Sequence, residues 1–402
     1  MRTDTTRTTG ATRRAGRFRL LTAGAAAAVL GASALAMAPA GAETSQWTRI
    51  QPPAGIRPLA TLNAVAAASG TRAWAVGQEY AGDYTSQIPG VPLVLRLDGT
   101  AWTRTALRGV TWKGSLTSVA ASSPTDAWAA GLDTASGMRL LHFDGTSWQP
   151  ADTPVTGPVA SLRVVASPGH QPWLIVTPTG GSPVVLERAG GAWQSVELPP
   201  APFTAATVHV AVDGTVWLAG YRLTQTPPFP ISVPTLVVQR WTGTGWATLP
   251  DGPQTWPHEV LAATDGTLWV AGTVPRTGPG GPIGAPPPSA LVHWDGTTWT
   301  SASLPALTFG LPSLAGDDAG RPEWASGTGV LAGSEPVGGY LKYTGGTWTR
   351  VPGAPVVAPE VDRVSIAGLA HLPGTASTLA VGQAPYPFEE QHVPRIERED
   401  AP

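Results

Sequence analysis

A histidine beside a carboxylate is the smallest unit that can pass a proton. This 402-residue chain carries one such pair, His258-Glu259, two residues after Trp256. It opens an apolar run, so it is the leading candidate for acid–base catalysis. A purely structural pair is the plainer reading. Other residues suit ligand binding. Tyr80, Asp83 and Tyr84 can stack on and hydrogen-bond a sugar or peptide, or can lie in a solvated loop. Tyr386 and Phe388 beside Glu389 and Glu390 can hold a cation, or form plain surface. Trp112 and Trp256 fall between predicted strands and are candidates for a stacking platform. The seven His show neither H-x-H nor H-E-x-x-H spacing, and there is no Cys. No metal or cofactor is therefore expected, and thiol chemistry is excluded. No phosphate-binding loop and no nucleophile elbow is present.

Such residues need a scaffold, and composition narrows what it can be. Gly (48) and Pro (42) are abundant, yet 17 Trp and an apolar share of 42% can fill a core. The Gly and Pro then read as turns between many short strands. Residues 1–42 are set apart: Arg2, Arg7, Arg13, Arg14, Arg17 and Arg19 precede an apolar run from Leu20 to Met37, and Ala40-Gly41-Ala42 fits a cleavage site. This predicts a secretory signal peptide, by the general secretory route in preference to the twin-arginine one, and an extracellular or cell-surface protein. Its removal takes the formal net charge from −2 to −7. An acidic surface without Lys/Arg clusters argues against nucleic acid and anionic membranes as partners. After cleavage no apolar run is long enough to insert in a bilayer.

Residues 43–402 repeat one unit of about 50 residues. Its clearest mark is an Asp-Gly-Thr-x-Trp turn, as in 98–102, 144–148 and 295–299, with degenerate copies ending at Trp193, Trp246 and Trp348. Each follows a short alternating run, which predicts a hairpin. Upstream lies a second mark, Trp-x-x-Gly, at Trp74, Trp128, Trp217, Trp269 and Trp324, with Trp173 as a variant. Before it comes a small apolar strand such as Val119-Ala120-Ala121. His209 falls in one of these and reads as core. Each unit thus holds four strands, a to d. Small side chains in strand a and Trp in b and d match the taper of a β-propeller blade.

The units number seven. Six are complete. The seventh starts at Val364-Ser365-Ile366 and offers residues 394–398 as strand c, then lacks a strand d. Ser45–Ile50, with Trp47, supplies it from the other end of the chain. The expectation is an all-β, seven-bladed propeller with four antiparallel strands per blade, closed by the N-terminal strand joining the last blade. Closure removes two open sheet edges.

The pattern resembles secreted β-propeller repeat proteins of the kelch-like and Asp-box-like kind over nearly all of residues 45–398. The resemblance implies the fold and no single activity, since such propellers carry enzymes, lectins and scaffolds. The turn is similar to the sialidase Asp-box, but Asp98 abuts Gly99 and no Ser stands two residues before it. Sialidase activity is therefore not carried over. Nor is that of a copper-radical oxidase, which needs a Cys.

Propellers place a–b and c–d turns on one face, and b–c and d–a connections on the other. The second set is long here: residues 78–91, 221–233, 273–288 and 383–392. Long loops in compact domains are usually functional. The expected function is an extracellular, monomeric recognition module that presents these loops to a carbohydrate or an extracellular protein. The alternative is a secreted carbohydrate-active enzyme, a glycoside hydrolase or polysaccharide lyase, at the mouth of the central channel. For hydrolysis it needs paired carboxylates about 5–10 Å apart.

Overall fold

Short alternating strands separated by Asp-Gly turns pair into seven four-stranded antiparallel sheets in the computed structural model. It describes residues 46–400 apart from 58, 80–89, 201, 227–230, 276–287, 306–309, 328–338, 356–363 and 386–391. The segment read as a signal peptide, residues 1–42, lies outside the described residues. Strand β1 (Trp47–Ile50) comes first. Blade 1 is β2 (Thr61–Ser69), β3 (Arg72–Glu79), β4 (Val91–Asp98) and β5 (Ala101–Arg104). Blade 2 is β6 (Gly114–Ser123), β7 (Asp126–Asp133), β8 (Met138–Phe143) and β9 (Trp148–Ala151). Blade 3 is β10 (Val159–Val165), β11 (Trp173–Pro178), β12 (Val184–Ala189) and β13 (Ala192–Val196). Blade 4 is β14 (Thr204–Val210), β15 (Val216–Thr226), β16 (Ile231–Trp241) and β17 (Trp246–Thr248). Blade 5 is β18 (Trp256–Ala262), β19 (Leu268–Thr273), β20 (Ser289–Trp294) and β21 (Trp299–Ser301). Blade 6 is β22 (Ser313–Gly316), β23 (Pro322–Gly327), β24 (Gly339–Thr344) and β25 (Thr347–Pro352). Blade 7 is β26 (Ser365–His371), β27 (Ser377–Pro385) and β28 (His392–Asp400), and its fourth strand is β1. Trp47 pairs with Glu399 and Ile50 with Ile396. The seven-bladed architecture and its closure are those expected from the repeats.

The blades are held by indoles. The strand-b Trp of one blade meets the strand-d Trp of the next. Trp74 packs edge-on to Trp148, Trp128 to Trp193, Trp173 to Trp246 and Trp269 to Trp348. At the closing junction Trp324 meets Trp47 at 5.0 Å, and Trp47 stacks on Tyr340 at 4.1 Å. Blade 7 has Leu379 in place of the Trp, and it shares a buried cluster with Trp102 of blade 1. Aromatics of this size dominate core energetics, each burying roughly 150–250 Å².

The Trp-x-x-Gly signature has a steric cause. Strand a bulges at one register in blades 1, 2, 4, 5 and 7, where Asn63, Thr117, Ala206, His258 and Ala367 are the extra residues. A bulge kinks the backbone, and here it turns a carbonyl toward strand b. A Cβ on Gly77 would lie 1.9 Å from the Thr61 oxygen, and one on Gly131 2.2 Å from that of Ser115. Gly220, Gly272 and Gly382 meet the same obstruction. In blade 3 the bulge lies two residues further along, opposite Thr177 and Pro178, and Val176 occupies the glycine's place.

The Asp-Gly turns are architecture. Asp295 Oδ1 accepts the Thr297 and Thr298 amides at 2.8 and 2.7 Å, and Asp144 does the same for Thr146 and Ser147. These bonds hold both carboxyls below the usual carboxylate range. Gly145 (φ 92) and Gly296 (φ 98) supply the left-handed step.

Candidate functional site

The a strands wall the central channel, a cavity of about 560 Å³. Aligning them on the residue opposite the second position after the strand-b Trp (Leu379 in blade 7) gives one ring. Its members are Ala64, Ser118, Arg163, Thr207, Glu259, Ser313 and Gly368. The next ring is Val65, Val119, Val164, Val208, Val260, Leu314 and Leu369, aliphatic throughout. The first ring stitches blades together: Ser118 Oγ accepts the Val164 amide and Ser313 Oγ the Leu369 amide, both at 3.0 Å.

Two members of that ring are charged. Arg163 reaches from blade 3 past Thr207 of blade 4 to blade 5, where its Nη2 donates to Glu259 Oε1 at 2.7 Å and its Nη1 to the His258 carbonyl at 3.3 Å. Glu259 is buried and Arg163 half-buried. Burial pushes the Glu259 carboxyl up, and Arg163 pulls it partly back. His209, expected in the core, is half-buried and also borders the channel, because strand a has one edge on it. Its Nε2 accepts the Ala262 amide at 3.4 Å, which fixes the neutral Nδ1–H tautomer. Burial first, and then Arg163, hold its pKa down to about 3.

His258 and Glu259 are thus adjacent in sequence but differently employed. His258 is exposed, with Nε2 3.5 Å from Thr273 Oγ1, while Glu259 is locked to Arg163. Partial desolvation by the strands beside it still lowers the His258 pKa. At the opposite mouth, Asp318 accepts from the Gly374 amide and pairs with His371 at 3.0 Å. Asp317 closes its own turn through the Ala319 and Arg321 amides. Among the described residues no group of three His, Cys, Asp or Glu could hold a metal ion.

The face carrying the b–c and d–a connections holds a different cluster. Residues 221–233, expected as a loop, are largely strand. β15 and β16 stay paired out to Thr226 and Ile231, because the Thr, Ile and Val on the two strands favour extended backbone. The hairpin runs five residues past Tyr221, or about 17 Å at strand rise. Leu223 on it is 48% exposed. Tyr221 at its base meets Trp256 edge-on at 4.5 Å. Trp256 opens β18 instead of lying in the preceding loop, since it pairs with Thr273. Arg222 pairs with Asp251 alongside. Trp112 does lie in a d–a connection, but its ring packs on the Trp74 cluster. Tyr80, Asp83, Tyr84, Tyr386 and Glu389 lie outside the described residues.

Sequence reasoning missed Arg163, Leu223 and the Tyr221–Trp256 contact. Arg163 was within reach, since it is the one Arg or Lys in any described a strand, as Glu259 is the one carboxylate.

No protein-family model and no curated protein matches the chain. Solved structures do. YCF48 bound to a D1 peptide is 15% identical, with 89% of this chain and 97% of that chain covered and a TM-score of 0.50. An inactive variant of virginiamycin B lyase from Staphylococcus aureus, with quinupristin, is 11% identical, with 88% and 98% covered and a TM-score of 0.50. At these identities the likeness is one of fold.

Proposed function

We propose that this chain is a secreted recognition module that binds an extracellular carbohydrate or protein on the face carrying the b–c and d–a connections. The observation that carries the reading is the blade-4 hairpin. It extends past the sheet with Leu223 exposed and is braced at its base by Tyr221 on Trp256. A paired hairpin presents a fixed surface at low entropic cost, which favours tight binding. The export of residues 43–402 rests on the Arg-rich, apolar segment before them. YCF48, a propeller of similar fold, has been seen with a peptide, which supports a binding role. The enzymatic alternative loses ground because Glu259, the carboxylate of the His258 pair, is neutralised by Arg163.

A glycan array and a pull-down from extracellular fractions test the reading, each run with the wild type and with Leu223→Asp and Trp256→Ala. The wild type should retain a ligand that both variants lose at an unchanged melting temperature. Two blank assays from folded protein would overturn it, as would a ligand that both variants keep.

A further inference from the structure

Seven repeats allow each blade to be judged against the others, and the strand-c position facing the strand-d Trp is charged in blades 3 and 7 alone. Opposite the strand-d Trp, strand c carries Leu97, Phe143, Trp241, Trp294 and Tyr343 in blades 1, 2, 4, 5 and 6. Each fills the wedge beside that Trp. Blade 7 has Glu399 there, opposite Trp47 and 3.6 Å from Lys342, and blade 3 has Arg188, opposite Trp193. The guanidinium carbon sits 4.6 Å from the Trp128 ring centre and 5.7 Å from that of Trp193. A cation over indoles is held in place by their quadrupoles, and a guanidinium lying on a ring keeps its in-plane N–H groups free. No carboxylate among the described residues pairs with Arg188.

A cavity of about 470 Å³ lies between strand d of blade 2 and the c–d hairpin of blade 3, lined by Arg188, Trp193, Gln149, Asp144 and Asp152 among others. Asp144 is an ionised acceptor fixed by the Thr146 and Ser147 amides. Gln149 donates to Asp144 Oδ2 at 2.8 Å, which leaves its carbonyl oxygen to accept. The lining therefore presents donors and acceptors of both charge signs beside aromatic surface. A simple anion would face two aspartates, and a cation would face Arg188. A neutral polyol, each hydroxyl both donor and acceptor, matches both sets.

We infer that this rim cavity is a saccharide subsite, taking one or two neutral pyranose units, with Arg188 and Gln149 engaging hydroxyls and Trp193 forming one wall. It lies beside the c–d hairpins, away from the blade-4 hairpin, and does not depend on the reading given above.

Arg188→Phe is the informative variant, because it restores the residue type that blade 2 uses and so keeps the fold. The Trp193 indole N–H is followed by NMR in the full propeller during titration with glucose, galactose, mannose, fucose and N-acetylglucosamine, with sulfate and acetate as anionic controls. At least one sugar at millimolar concentration should shift the signal, neither anion should, and Arg188→Phe should abolish the shift while melting at or above the wild-type temperature. Trp256→Ala should leave the shift intact, which separates this site from the other. No response to any sugar, a response only to the anions, or a sugar response that survives in a folded Arg188→Phe protein overturns the proposal.

Discussion

Arg163 and Glu259 leave water only because they leave it together. Burial disfavours the Glu259 charge, so removing the arginine should cost more than removing the pair. Arg163→Met is expected to destabilise by about 2–3 kcal/mol near neutral pH, and Arg163→Met with Glu259→Met should recover most of that loss. Urea denaturation reads both, and equal losses would refute the coupling. The single variant should also prefer acid. A carboxyl with a raised folded pKa stabilises most when protonated and loses that as pH rises through the folded value. His209 behaves oppositely. Its pKa falls from 6.5 unfolded to about 3 folded, so its contribution is complete above 6.5 and shrinks as pH drops. His209→Leu, which copies Leu261 of blade 5, should flatten the pH dependence of stability below about pH 6.5 by up to about 1 kcal/mol per pH unit. An unchanged slope would show that solvent in the channel already screens the ring. At this scale the sequence was partly legible. Glu259 could be singled out from its neighbours, whereas its partner lies two blades away, and no local pattern links residues that meet only across a channel.

Elements were legible where one physical need recurs. The Trp-x-x-Gly mark was visible as spacing, and the bulge that demands the glycine was not. Gly77→Ala is predicted to destabilise by more than about 2 kcal/mol, because the new Cβ meets backbone that cannot yield without moving the bulge. Gly245→Ala, with nothing within 4 Å of its Cβ, should be close to neutral. Thermal melts of the two variants decide this, and equal shifts would place the glycine's role in chain entropy instead. The blade-4 hairpin was read as a loop because Pro-rich composition at residues 227–230 suggested one. Pairing of the residues on either side overrode that local signal.

The whole molecule depends on one short strand. β1 supplies the Trp that stacks on Tyr340 and the edge that covers β28. Trp47→Ala should cost about 3–5 kcal/mol, in line with large-to-small aromatic truncations. Deleting residues 43–51 should lower the melting temperature of the entire ring, not only of blade 7. Calorimetry distinguishes the outcomes, since a separate low-temperature transition would mean that blade 7 melts alone. Closure was readable because the count of Trp turns left one blade short at one end and one strand spare at the other. The rim cavity was not read, although Arg188 stands five residues before Trp193, the same spacing as Phe143 before Trp148.

A ring closed in this way also sets an order of events during synthesis. β1 leaves the ribosome before any blade exists, and β28, its partner, emerges only after the six other blades. For that interval the nascent chain carries an unmatched strand ahead of a growing stack with an open edge, the kind of species that associates wrongly at high concentration. The β1–β28 pairing spans all seven blades, which makes it intrinsically slow. A product that stops short of residue 392 has no strand for β1 to meet, so an incomplete chain cannot pass as a finished one.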